Sequence, residues 1–334
     1  MRPRLTLAAV FGSAILLASV GTHVVVAALD INTKAARGHK RFGEAGQPVE
    51  ALIAGSSLTY SAVDWTQVAG LLGVAIESWP VPGSSPAEWE QLQRRSPRAT
   101  TTFVGVSLYD LNEVSLCDFR ANIVPITQTL ADLWASGSDP AFARRMSSWY
   151  MQTWLRTIFP TAARSDQVIF GLRDKARSLL GRAGTGEEAG TKLSVAADFV
   201  PNDRVSDWPE DRRLRRMAVM RSNQGKPWFS GPKHLALLRL LQQARRQGAV
   251  VVVVLPVSQL FETALLSQPD IDRFEASLAE VKRAVPEAAW VRVDQIAGLK
   301  SADYFSDFVQ LNMRGRRIVT PELLKSLAGA AGRR

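Results

Sequence analysis

The chain has 334 residues, 46% hydrophobic and 22% charged, which suits one large folded domain with a subdomain and excludes a disordered or low-complexity polymer. Its formal charge of +10 points to an anionic partner: a lipid surface, an acidic polysaccharide or a nucleic acid. A single cysteine, Cys117, excludes an internal disulfide framework and a cysteine-based metal site.

From Leu5 to Leu29 no residue is charged, and about 25 such positions are enough for a helix to cross a bilayer. Arg2 and Arg4 precede the stretch and favour an N-inside orientation, against the pull of Lys34, Arg37, Lys40 and Arg41 beyond it. A cleaved signal peptide is the rival reading, since Val26-Ala27-Ala28 offers small residues for cleavage, but the apolar run exceeds the ~7–15 residues of such a region. An uncleaved transmembrane anchor over residues 1–30 is therefore expected, followed by a polar, basic linker over 31–48 that contains His39. His23 falls near the outer end of the span.

The folded domain is expected over 49–334. Strands are predicted at Ala51–Ala54, Val74–Val81, Thr101–Leu108, Ala249–Leu255 and Ala289–Val293, and helices at 60–72, from Pro86, at 232–247, 270–284 and 320–328. The unbroken β-branched run Val250–Val254 implies a strand buried on both faces, as in a parallel sheet covered by helices. Alternating strand and helix predict a doubly wound, flavodoxin-like α/β domain with a mainly parallel five-stranded sheet. Between Leu116 and Ser230 the pattern becomes a helical insertion, with stretches at 141–159, 167–180 and 210–221. Trp134, Trp149, Trp154, Trp208 and Trp228 lie in it or at its end. Tryptophan beside arginine suits a membrane headgroup region or a sugar-binding lid, and core packing is the plainer alternative.

Four short blocks follow predicted strands or close the chain: Gly55-Ser56-Ser57-Leu58-Thr59, Val81-Pro82-Gly83-Ser84-Ser85, Gly105 to Asn112, and Asp307 to Gly315. In order and placement they resemble the four blocks of the SGNH (GDSL-type) hydrolase superfamily. The resemblance implies Ser57 as nucleophile, with Ser56 where the motif's aspartate usually stands. It implies Gly83 as an oxyanion-hole amide, with Ser107 at the position of the third block's asparagine and Asn112 a few residues on. Asp307 matches the aspartate of the last block, and Gln310 stands in place of its histidine. An amide can hydrogen-bond a serine hydroxyl but has no useful basicity. His234, at the start of the helix before the fourth strand, is the one substitute base that the order of elements brings to the right edge of the sheet. The plainer reading of His234 is an idle residue near a helix cap.

The three histidines and the cysteine show no metal-ligand spacing, and no phosphate-binding loop is present, so no metal or cofactor is expected. Nucleic acid is not the expected partner, because the basic clusters, at Arg94/Arg95/Arg98, Arg144/Arg145, Arg212/Arg213/Arg215/Arg216 and Arg314/Arg316/Arg317, match no nucleic-acid motif. The architecture is similar to that of anchored proteins that move or remove acyl groups on cell-envelope polysaccharides, often beside a multi-span membrane O-acyltransferase. With the N-inside orientation this gives a single-span protein of the cytoplasmic (inner) membrane whose domain faces the periplasm or the cell exterior. The similarity leaves two expectations: O-acyl transfer or ester hydrolysis through Ser57, or an inactive subunit that binds polysaccharide or supports such a complex.

Overall fold

The computed structural model describes residues 49–78, 84–95, 98–113, 124–137 and 227–331, with isolated positions between 13 and 21 and between 140 and 151. Five strands form one sheet: β1 (Val49–Ala54), β2 (Ile76–Ser78), β3 (Ala99–Ser107), β4 (Ala249–Leu255) and β5 (Ala289–Arg292), in the spatial order β2-β1-β3-β4-β5. Every neighbouring pair is parallel. The expected α/β class is the observed one, with all of the sheet parallel rather than most of it.

The helices are α1 (Ser57–Ala62), α2 (Trp65–Leu72), α3 (Pro86–Arg95), α4 (Leu108–Leu111), α5 (Ile126–Ala135), α6 (Pro232–Gln247), α7 (Gln259–Leu265), α8 (Gln268–Ala284) and α9 (Met313–Ala331). The single helix expected over 60–72 is two. The chain turns extended at Val63, and Asp64 caps α2 by accepting the amides of Thr66 and Gln67. The last helix starts earlier than expected, because Asn312 Oδ1 accepts the amides of Arg314 and Gly315. Leu5–Leu29 falls almost wholly outside the described residues, as do 31–48, Cys117, Trp149, Trp154, Trp208 and the helices expected at 167–180 and 210–221. Among the described residues no helix is long and apolar enough to cross a membrane.

Strand alternation sends side chains to two separate cores. Val104 and Val106 of β3 and Val250, Val252 and Val254 of β4 pack with Leu237, Leu240, Phe274 and Leu278, under α6 and α8. Phe103, Val251, Val253 and Leu255 point the other way and meet Leu58, Trp65, Val68, Phe305, Val319 and Leu323. The Ser57 helix and the C-terminal helix α9 thus share one face, and α6 lies on the opposite one. Right-handed crossovers dictate this: the chain steps from β1 outward to β2 in one direction and from β3 through β4 to β5 in the other.

The start of the insertion is fastened to the second face by a buried ionic cluster. The Arg239 guanidinium of α6 makes paired bonds to Glu90 of α3 (2.9 and 2.8 Å) and to Asp132 of α5 (2.8 and 2.7 Å). Glu90 is fully buried, so the pairing is what allows its charge inside the protein.

Helix α1 approaches the sheet closely through two glycines. A Cβ on either Gly55 or Gly105 would run into the Thr59 side chain, whose hydroxyl donates to the Gly105 carbonyl (3.3 Å). Gly105→Ala is expected to cost about 1–3 kcal/mol in urea unfolding. Gly105→Ala/Thr59→Ala removes the two nearest of the obstructing Thr59 atoms and leaves its Cβ, so the double variant is expected to lose less than the sum of the single losses; strictly additive losses would show that the Thr59 hydroxyl and methyl are not the obstruction.

Candidate functional site

In the strand order observed here, the chain's direction of travel reverses between β1 and β3, and open α/β sheets bind ligands outside the carboxyl ends of the strands at such a point. Ser56 and Ser57 follow β1 there, and Ser107 and Asp110 close β3. Ser56 is the N-cap of α1, its side chain accepting the Leu58 amide (3.2 Å). Ser57 is the first residue of α1 and 6% exposed.

The loop before α9 reaches the same place. Gln310 Nε2 donates to Ser57 Oγ at 2.9 Å, the only hydrogen bond of the Ser57 hydroxyl among the described residues. The loop that carries Gln310 is held at several points. Asp307 Oδ1 accepts the amides of Val309 and Gln310 (2.8 and 2.6 Å), and the Gln310 carbonyl accepts the Ser306 amide. Ser258 donates to the Phe308 carbonyl through both its amide and its hydroxyl. Burial raises the Asp307 carboxyl against the pull of the two amides. Asp307 therefore orders its own loop, and Gln310 occupies the place beside Ser57 where a base would have to stand.

The structure does not bring His234 to Ser57. This histidine is 2% exposed, on the face of the sheet opposite α1. Its Nδ1 stands 2.7 Å from Ser277 Oγ, and the Ser277 hydroxyl donates to the Phe229 carbonyl (2.8 Å), so Nδ1 carries the proton and His234 donates. Desolvation lowers its pKa, against the nearby Glu280 carboxylate. His234 ties α6 to α8. It is neither idle and exposed nor poised as a base, because right-handed crossovers place α6 on the far face.

The polar groups expected to steady an oxyanion have other partners. Ser107 is fully buried, donates to Asp110 Oδ2 (2.7 Å) and accepts the Asp110 amide (3.1 Å), a reciprocal cap on α4. Asn112 Oδ1 accepts the Trp228 amide (3.2 Å) and so joins the two ends of the insertion. Gly83 lies outside the described residues, while its neighbour Ser84 accepts from Trp89 Nε1 (2.7 Å) and approaches the Gly55 carbonyl.

Three charged residues that sequence reasoning passed over sit beside this cluster. Asp110 is 3% exposed, and its Oδ1 is buried with no hydrogen-bond partner among the described residues. Burial pushes this carboxyl up to about 6, although the Ser56 and Ser107 hydroxyls and the Lys233 ammonium pull it down. Lys233 is 2% exposed and donates from Nζ to the Asn112 carbonyl at 2.5 Å, while its amide donates to Glu113 Oε1. Glu113 is fully buried, accepts the Tyr150 hydroxyl (3.3 Å) and donates from its amide to the Trp228 carbonyl (2.9 Å). The signal in the sequence was the run Asp110-Leu111-Asn112-Glu113, three polar residues in four directly after a buried strand.

A cavity of about 650 Å³ lies elsewhere, at the end of β5. Its charged side chains are satisfied in pairs, Arg292 with Glu275 and Asp294, and Lys300 with Glu262. Among the described residues no group of histidine, cysteine and carboxylate side chains is arranged to hold a metal ion. No protein-family model matches the chain, and no curated protein matches it. Fold and site together define an α/β protein with a buried polar cluster at the switch point of a parallel sheet.

The raised Asp110 carboxyl has a measurable consequence. The folded protein holds this proton more tightly than the unfolded chain, so stability falls as pH rises from about 4 to about 6, by on the order of 3 kcal/mol, and levels off above. Asp307, also raised by burial, adds to the decline. Asp110→Asn should remove the Asp110 share; unfolding by urea at about pH 4 and about pH 7 measures it, and an unchanged pH slope would contradict the assignment.

Proposed function

We propose that the chain is an envelope-anchored, SGNH-like protein whose Ser57 site has lost hydrolytic turnover. On this reading it binds a cell-envelope polysaccharide or supports a membrane O-acyltransferase that modifies one. The observation that carries it is the Gln310 amide donating to the Ser57 hydroxyl. A donor in the base position withdraws electron density from the nucleophile and accepts no proton from it, and loss of a triad base typically costs on the order of 10⁶ in turnover. His234 offers no replacement, since it is occupied by Ser277 on the other face of the sheet. The uncharged stretch Leu5–Leu29, ahead of the domain, supports anchoring with the domain on the periplasmic side.

A second reading keeps catalysis, as O-acyl transfer or ester hydrolysis through Ser57. What favours it is the place of the hydroxyl, on the first residue of a helix that follows β1 at the switch point of the sheet, where open α/β sheets bind ligands.

Fluorophosphonate labelling of the full chain in detergent separates the two. The wild-type protein is expected to give no adduct at Ser57, and Gln310→His is expected to create one, with nitrophenyl ester hydrolysis rising by about 10²-fold or more as a base returns beside Asp307. Ser57→Ala in the Gln310→His background should abolish both. An adduct on wild-type Ser57 would overturn the inactive reading.

A further inference from the structure

The edge of the sheet opposite Ser57 is basic. Arg98 stands just before β3, and its carbonyl accepts the amide of Val49, the first residue of β1, at 2.9 Å. Arg245 and Arg246 occupy the last turn of α6 and are both exposed. Arg98 and Arg246 line one cleft of about 310 Å³ together with Gln243 and Gln247. Arg94, exposed near the end of α3, adds a further charge that Glu90 partly offsets. The acidic side chain at the start of β1, Glu50, is turned to the Ala75 amide (2.8 Å).

A second observation concerns where the chain joins this edge. Val49 follows directly on the residues that include the uncharged stretch Leu5–Leu29 and the basic Lys34, Arg37, Lys40 and Arg41. The strand that leads back to that apolar segment therefore begins against Arg98. We infer that this edge of the domain docks on anionic lipid headgroups of the bilayer that holds the N-terminal stretch. The inference rests on the anchored reading above and adds an orientation to it.

Strand β3 has nine residues between Arg98 and α4, a rise of about 30 Å. Docking by the arginine edge holds Ser57 on the order of 30 Å above the headgroups and facing away from them. That geometry suits a ligand that projects from the envelope surface, such as a polysaccharide chain, and not a lipid headgroup. Each arginine near an anionic leaflet strengthens binding by roughly fivefold, so the cluster is strong only while several of its members act together.

The test uses the full chain in vesicles of phosphatidylcholine, with and without phosphatidylglycerol, carrying a benzoylphenylalanine photocrosslinker at Gln247 or, on the Ser57 edge, at the exposed Asp303. Lipid adducts are expected at Gln247 in phosphatidylglycerol vesicles and not at Asp303. Arg98→Glu/Arg245→Glu/Arg246→Glu should lower their yield by at least about tenfold, with an unchanged circular dichroism spectrum. Equal yields at both positions, equal yields without phosphatidylglycerol, or no effect of the charge reversal would overturn the docking. Washing with alkaline carbonate reports on the anchor separately. A chain that washes off, yet gives Gln247 adducts before the wash, loses the anchor and keeps the docking surface. A chain that stays on without Gln247 adducts keeps the anchor and loses the docking.

Discussion

Thr59 is wedged between the ends of two strands, and the site depends on that contact. Gly55 and Gly105 have no side chain to hold α1 away from β1 and β3, so the Thr59 methyl and hydroxyl fill the space over both. Ser57, two residues earlier, is thereby fixed at the switch point of the sheet. The Gln310 loop closes over it only because Asp307 and Ser258 hold that loop from within. A looser approach of α1 would leave the Ser57 hydroxyl and the Gln310 amide unmatched.

The buried charges follow two different rules. The buried Glu90 and Asp132 with the half-buried Arg239, and likewise the buried Glu113 with the Lys233 amide and the Tyr150 hydroxyl, tie the insertion to the α/β core at both of its ends. Clusters of this kind add little net stability over apolar packing, but they specify a register, since each wrong arrangement leaves a charge alone. Asp110 departs from this with an oxygen that closes no hydrogen bond among the described residues, and the cost of holding it falls at the strand end at the switch point.

The chemistry of Ser57 is limited by position as much as by residue type. The protein has a histidine at a helix start on the expected edge of the sheet, yet that histidine serves the opposite layer. Among the described residues the one hydrogen bond to the Ser57 hydroxyl is donated to it, by the Gln310 amide.

Much of the fold was legible in the sequence. The β-branched run at Val250–Val254, the capping residues around 232–247 and the alternation of strand and helix depend on local periodicity, and a parallel sheet buried on both faces follows from them. The Ser57–Gln310 contact was suggested only by the resemblance of their two blocks to a known pattern, because nothing local ties residues 253 positions apart. The break of 60–72 at Asp64 was not legible, since a capping aspartate competes locally with a continuous apolar face. Nor were the roles of Asn112, Lys233 and Glu113, which meet partners 116 to 121 residues away, whereas the Ser107 cap is a local pairing with Asp110 three residues on. Sequence by itself determined which elements form and which residues close the strands, because those are properties of neighbouring positions. Only the tertiary structure decided that His234 serves the other face, that Asp110 keeps a bare oxygen and that the arginines of two elements gather at one edge. These depend on crossover handedness and burial, which join residues far apart in the chain.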